Sequence, residues 1–203
     1  MNIFISIVAA ALMAVSAAPQ QTQHSALDKL YAALSESCVR IECVYSISVS
    51  GTRIQGEASI KVRKDAYFMS GNGLQIYCDG SRVWTMDPEQ KEVYIENLGQ
   101  DGSASLSNPA ALFMSLASSF TVDGSDLSKD RCAYNLRPDP ETGISSAELV
   151  LTPEGVILSA VFVLDDGAVA EVDVVSMEVT AAEPVDSFRP QTVFDKDWIV
   201  TEF

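Results

Sequence analysis

Few side chains in this sequence could perform chemistry. Its one histidine, His24, lies in a short polar stretch near the N-terminus, so no Ser-His-Asp or Cys-His arrangement can be assembled. No glycine-rich phosphate loop follows a predicted strand. The carboxylates that could supply an acid/base pair are Glu57, Asp65, Asp79 and Asp87. Three of these four fit turns or solvated sheet faces better, so a binding protein is favoured and a carboxylate-dependent hydrolase is the alternative class.

The thiols and acids do not form a metal-binding pattern. An even number of cysteines in an exported chain permits two disulfides with three possible pairings, and four buried thiols are the alternative: Cys38, Cys43, Cys78 and Cys132. Cys38 and Cys43 are expected to flank a helix-to-strand junction, where they could pair locally. A Cys-x-x-Cys motif is missing and zinc spacing is not met. The segment 123–130 lacks the oxygen spacing of a calcium loop, so we predict a solvated loop and neither metal nor cofactor.

Composition excludes several classes of function. The chain has 203 residues, of which 47% are hydrophobic and 20% charged, as expected for a globular domain with a core. Asp and Glu outnumber Lys and Arg by 28 to 13, for a net charge of -15. Phosphate binding needs a basic face, so nucleic acid is not a predicted partner. The acidic surface also disfavours electrostatic adhesion to anionic lipids and favours a monomer.

The N-terminal residues resemble a signal peptide. Residues 3–15 are mostly apolar, and the small residues 15–17 suit cleavage after Ala17. The apolar run is short for a membrane span, although a retained N-terminal anchor is the alternative. We therefore predict a signal peptide over 1–17, export to the periplasm, and one domain over 18–203.

The stretch 53–95 indicates an antiparallel meander. Its first strand alternates polar residues with apolar ones, which are Ile54, Gly56, Ala58, Ile60 and Val62. This period of two predicts one apolar and one wet face, and the small residues are expected to leave room above the sheet. Glycine-containing turns then separate further short strands up to Ile95.

Two helices are predicted beside these strands. Leu27, Leu30, Tyr31 and Leu34 follow a helical period after Ser25. A second helix opens at Pro109 and is apolar on most sides, which is typical of a helix that is buried or that covers an apolar surface. It is interpreted as a movable lid, with an ordinary core helix as the alternative.

The second half of the chain predicts further strands. These are expected over 132–137, 147–151, 156–164 and 169–179, with 185–188 and 198–201 closing the sheet. Neither a repeat nor a linker interrupts the pattern, so the chain is interpreted as one mainly β domain.

Three motifs in order carry a resemblance to a known family. They are G-x-A-x-I-K-x-R-K-x-A-Y-F from Gly56, C-D-G-S-x-V-W-T-M-D from Cys78, and N-P-A-A-L-F from Asn108. From about Leu27 to Phe203 the chain resembles the periplasmic outer-membrane lipoprotein carriers of the LolA family. The resemblance implies a single curved antiparallel sheet that forms an unclosed half-barrel. An N-terminal helix and a central lid helix would cover its concave apolar face.

The resemblance also implies a function and a site. A LolA-like protein is a soluble chaperone that binds the acyl chains of lipoproteins and moves them from the inner to the outer membrane. An inner-membrane ABC transporter would donate the cargo, and the outer-membrane acceptor stays open. The predicted wall of the acyl-chain cavity comprises Ile60, Phe68, Trp84, Met86, Leu112, Phe113 and Leu116. Arg63 is predicted, by its position, to latch the lid, although Lys64 replaces the usual proline after it. The alternative is a lipid- or lipoprotein-sensing module of the same fold in envelope-stress signalling.

Overall fold

A computed structural model describes residues 25–98, 109–116, 120–139 and 143–203. The predicted signal peptide lies outside these residues, as do His24, most of the predicted loop before the second helix and part of the turn after Asp139. None of the helices in the described part of the chain is long and apolar enough to span a membrane.

The described residues form one twelve-stranded sheet and two α-helices. The helices are α1 (Ser25–Glu36) and α2 (Pro109–Leu116). The strands of the first half are β1 (Cys38–Val49), β2 (Thr52–Arg63), β3 (Ala66–Gly71), β4 (Leu74–Cys78), β5 (Arg82–Asp87) and β6 (Glu92–Asn97). Those of the second half are β7 (Phe120–Leu127), β8 (Cys132–Pro138), β9 (Ile144–Leu151), β10 (Ile157–Leu164), β11 (Val169–Thr180) and β12 (Ile199–Glu202).

The strand order shows why the sheet is an unclosed half-barrel. It runs β12-β6-β5-β4-β3-β2-β1-β11-β10-β9-β8-β7, so β7 and β12 are free edges. Every neighbouring pair is antiparallel except β12 and β6, which are parallel. The predicted mainly β half-barrel is confirmed, and the expectation of a purely antiparallel sheet is corrected at this edge. After β11 the chain crosses the sheet before it forms β12, so β12 joins β6 without a hairpin and runs in the same direction.

Both α-helices pack on one face of the sheet, which we call the inner face. The core there joins Leu27, Leu30 and Leu34 of α1 to the inward side chains of the strands. α2 packs on β2 and β3 and contributes Leu112 and Phe113 to the same core. The period of two in the strands therefore separates an apolar inner face from the opposite, outer face.

Three local predictions need correction. Residues 185–188 form a 3₁₀ helix rather than a strand. The acidic segment from Asp123 is not a loop, because its first part belongs to the edge strand β7, which pairs only with β8 and leaves its acids in solvent. Cys38 and Cys43 lie in the same strand, because α1 ends at Glu36 and β1 begins at Cys38.

In β11 apolar residues occur at both odd and even positions, and a β-bulge explains this pattern. Glu42 pairs with Ser176, whereas the next residue, Cys43, pairs with Val174. Val175 is the extra residue of this β-bulge and is 72% exposed. One inserted residue exchanges the inner and outer sides of the strand beyond it, so apolar residues fall on both parities of the sequence.

Candidate functional site

The inner face of the half-barrel is an apolar site closed by α2. Four side chains of this helix are almost completely buried: Ala110, Leu112, Phe113 and Leu116. The ring of Phe113 meets Phe162 of β10 edge to face, with 6.5 Å between ring centroids. α2 carries no charged residue. Its attachment to the sheet therefore depends on apolar contact more than on ion pairs.

Small side chains lie on the inner face among the large ones. Ala58, Ala147, Ala160 and Ala170 are all buried in the same core as α1 and α2. Because alanine side chains are short, they leave space above the sheet, and side chains of the helices fill this space. Among the described residues no charged side chain belongs to this core, and its polar groups include the hydroxyls of Tyr45, Tyr67 and Tyr134. The core under the helices is thus mainly apolar and uncharged.

The structure divides the predicted cavity wall between two faces. Ile60, Leu112, Phe113 and Leu116 belong to the core under the helices. Phe68 does not, because β2 and β3 pair Lys61 with Phe68 and Ile60 with Met69. Phe68 therefore lies on the outer face, in a cluster with Cys38, Ala66 and Phe188.

Trp84 and Met86 also lie on the outer face. Trp84 pairs with Tyr77, and Tyr77 pairs with Phe68, so all three share the outer side. Trp84 and Met86 form a separate cluster with Val93 and Ile95. The error came from grouping aromatic residues by type, whereas the pairing register decides which face each one occupies.

The outer face is covered by a segment that we call the C-terminal strap, residues 181–198. The strap leaves β11 and crosses β1, β2 and β3 at Glu183 and Phe188. It then crosses β4 to β6, where Phe194 and Trp198 pack on the Trp84 cluster. This segment was not predicted from the sequence, although its aromatic residues Phe188, Phe194 and Trp198 were a usable signal.

Among the described residues Arg63 binds the strap, on the face of the sheet opposite to α2. Its Nη1 donates to the carbonyl oxygen of Glu183. This placement corrects the predicted latch: Val62 faces the core under α2, so the next side chain along the strand points to the outer face.

Glu183 is the main anchor of the strap. Its carboxylate accepts from Arg40 at 2.8 Å and from Lys61 at 2.9 Å. The Lys61 ammonium also lies 4.5 Å from the centroid of the Phe188 ring. Hydrogen bonds from Arg40 and from Lys61 lower the pKa of Glu183 to about 2.

Asp79 anchors the strap at the β4–β5 turn. Its side chain is 2% exposed and accepts from Arg189 Nε at 2.6 Å. The other oxygen accepts from the backbone N–H groups of Ser81 and Arg82. Burial alone would raise the pKa of Asp79, but the hydrogen bonds from Ser81, Arg82 and Arg189 outweigh it and lower the pKa to about 2.

The remaining candidate acids serve turns or face solvent. Asp87 accepts from the backbone N–H groups of Glu89 and Gln90, and Glu57 and Asp65 are exposed. Nowhere in the described ranges do three or more His, Cys, Asp or Glu residues gather as a metal site would require. All four cysteines are buried free thiols, and burial raises the pKa of Cys43 and Cys78 to about 11, which keeps them unreactive.

Several solved structures are similar to this chain, all at low sequence identity. A LolA superfamily protein from Nitrosomonas europaea is 12% identical at a TM-score of 0.45, over 83% of this chain and 97% of that one. A DUF1329 family protein from Desulfovibrio piger is 11% identical at a TM-score of 0.43, over 82% and 95%. A chain of the MucA/MucB complex of Pseudomonas aeruginosa is 15% identical at a TM-score of 0.31, over 83% of this chain and 60% of that one. No protein-family model and no curated protein matches the sequence. Because these sequence identities and TM-scores are low, the function of the chain is inferred from its own residues.

Proposed function

We propose that this protein is a non-enzymatic carrier that binds the acyl chains of lipoproteins on the inner face of its half-barrel. The periplasm is the proposed compartment, and transfer from the inner to the outer membrane is the proposed task. The donor would be an inner-membrane ABC transporter, as the resemblance to the LolA family implies. One observation carries the proposal: an uncharged helix of eight residues closes an apolar, alanine-lined face of an open sheet.

The attachment of α2 suits the role of a lid. An isolated helix of this length is marginal in water, so α2 is held in place by packing on β2 and β3. Its buried side chains supply apolar surface and no charge, which is what an acyl chain also supplies. A chain can therefore replace α2 on the sheet at a small net cost in free energy.

The lining suits a cargo that differs from one lipoprotein to the next. Each methylene removed from water contributes about 0.8 kcal/mol, so long chains bind without specific polar contacts. Ile60, Leu112, Phe113 and Leu116 are the proposed contacts. Lipoproteins share their acyl chains and differ in their proteins, so an apolar container recognises the common part.

A release assay tests the proposal. Mature protein from Ala18 onward is added to spheroplasts that contain labelled lipoproteins, and the soluble fraction is probed for a one-to-one complex. Energy-dependent release is the expected result. Bound lipid without release would favour the sensing module, and neither release nor bound lipid would refute the container.

Photo-crosslinking tests the face. A photoreactive phenylalanine analogue at position 113 is expected to crosslink to the lipid, because Phe113 lies on the inner face. The matched control places the analogue at position 84, in the outer cluster. Equal crosslinking at both positions would contradict the assignment of the inner face.

A further inference from the structure

The inner faces of β1 and β2 form a ladder of paired apolar residues. From one end the pairs are Val39 with Val62, Ile41 with Ile60, Cys43 with Ala58, Tyr45 with Gly56, and Ile47 with Ile54. The first three pairs are buried, and at the last pair Ile54 is 56% exposed. The pair Tyr45–Gly56 is thus the boundary between the covered core and an uncovered apolar ledge.

The side chain of Asn72 sits on this boundary. A Cβ added to Gly56 would lie 2.4 to 2.8 Å from the carboxamide atoms of Asn72, so the carboxamide occupies the space that the glycine leaves. Asn72 Nδ2 donates to Tyr45 Oη at 2.9 Å. The room that the sequence predicted above Gly56 is therefore filled by a polar group from the β3–β4 hairpin.

The hairpin backbone holds Asn72 in this position. Asn72 and Gly73 both have positive φ, at 51° and 81°, as in the tight turns that Asn-Gly favours. The preceding Gly71 lies against β2, where an added Cβ would be 2.5 Å from the Glu57 carbonyl oxygen. Pairing of β2 with β3 ends at Ser59 and Ser70, so the tip is free to fold over the inner face.

We infer that Asn72 is the end stop of the acyl-chain track, and that it sets the longest chain which the inner face accepts. The inference rests on the proposed function and adds a residue that determines specificity. A chain that advances along β1 and β2 reaches the Asn72 carboxamide at the Tyr45–Gly56 pair. Passing it requires the hydrogen bond to break and leaves a polar group against methylenes. Beyond it, Ile47 and Ile54 would continue the track.

Chain-length selectivity tests the end stop. The dissociation constants of straight-chain saturated fatty acids, from decanoic to octadecanoic acid, are measured by displacement of a fluorescent fatty-acid probe. For the unmodified protein, affinity should rise about fourfold per methylene up to one length and then stop rising. Asn72→Gly keeps the positive φ and removes the carboxamide, so its affinity should continue to rise for longer chains.

Two further variants separate the end stop from general loosening of the hairpin. Asn72→Asp keeps a side chain of similar size and tolerates positive φ, so it should keep the original limit. Tyr45→Phe removes the hydrogen-bond acceptor and should move the limit in the direction of Asn72→Gly. An unchanged limit in Asn72→Gly, with fatty acids still bound, would overturn the end stop and leave the carrier proposal standing. No fatty-acid binding by any of the proteins would overturn both.

Discussion

Gly71 is required because of a close steric contact rather than an unusual backbone conformation, since its φ is not in the left-handed region. The backbone of β2 occupies the place of its missing side chain: an added Cβ would approach the Glu57 carbonyl oxygen to 2.5 Å. At Gly56 the obstacle is different, because the nearest atoms belong to the Asn72 side chain. A side chain can rotate away, whereas a strand backbone cannot without loss of its hydrogen bonds.

We therefore expect Gly71→Ala to destabilise the protein more than Gly56→Ala. The first should lower the free energy of unfolding by about 1–3 kcal/mol, the range for inserting a group into a packed site. The second should cost less, because Asn72 can move. Urea unfolding monitored by tryptophan fluorescence measures both. A cost for Gly56→Ala equal to or above that for Gly71→Ala would contradict the assigned contacts.

Among the secondary-structure elements, β2 contacts the core with one face and the C-terminal strap with the other. β2 directs Ile60 and Val62 to the core under α2, and Lys61 and Arg63 to the strap. The strap joins the β1–β3 region to the Trp84 cluster and then delivers β12 to the edge of the sheet. Its loss would expose the outer cluster around Phe68 and Trp84.

Arg63→Met should loosen the strap while the sheet stays folded. The Glu183 carbonyl would lose its guanidinium donor, and a hydrogen bond to a charged group is worth about 1.5–3 kcal/mol. Phe188, which is fully buried, should then become a site of limited chymotrypsin cleavage.

Arg53→Met is the matched control on the same strand. Arg53 is 60% exposed and pairs with Glu171 away from the strap, so its replacement should leave cleavage at Phe188 unchanged. Equal cleavage in both variants, or none in Arg63→Met, would remove Arg63 from the attachment of the strap.

At the scale of the whole molecule, charge and acid stability are connected through the strap. The chain carries a net charge of -15. Two of its carboxylates, Asp79 and Glu183, form salt bridges that join the strap to the sheet, with Arg189 and with Arg40 respectively. Both pKa values are lowered to about 2, from unfolded values of about 3.9 for Asp and 4.3 for Glu. A folded-state pKa below the unfolded one contributes stability above the unfolded pKa, and this contribution is lost as the pH falls.

The free energy of unfolding should thus fall as the pH decreases from about 5 to about 2. The double variant Asp79→Asn, Glu183→Gln should be less stable at neutral pH and should show a smaller decrease across this window. Urea unfolding at a series of pH values measures both slopes. The same slope in the double variant would assign the acid sensitivity to other carboxylates.

Local sequence patterns specify the class of fold and the main elements of the core. The alternation in β2, the apolar period of α1 and the Pro-led start of α2 are such patterns, and they can be recognised without knowledge of the partner strands. The meander followed from them. The half-barrel, and the placing of Ile60, Leu112, Phe113 and Leu116 on its concave face, followed from the resemblance.

Which face each aromatic side chain occupies, and which partners the polar groups bind, depends on the tertiary structure. Phe68, Trp84 and Met86 lie on the outer face, although they were predicted to line the cavity. The strand register, which is fixed by pairing over many residues, determines which side chains point inward. Arg63 binds Glu183, which is 120 positions away in the sequence, and Asn72 binds Tyr45, which is 27 positions away. Such contacts depend on how the chain crosses the sheet, and a local pattern carries no information on that path.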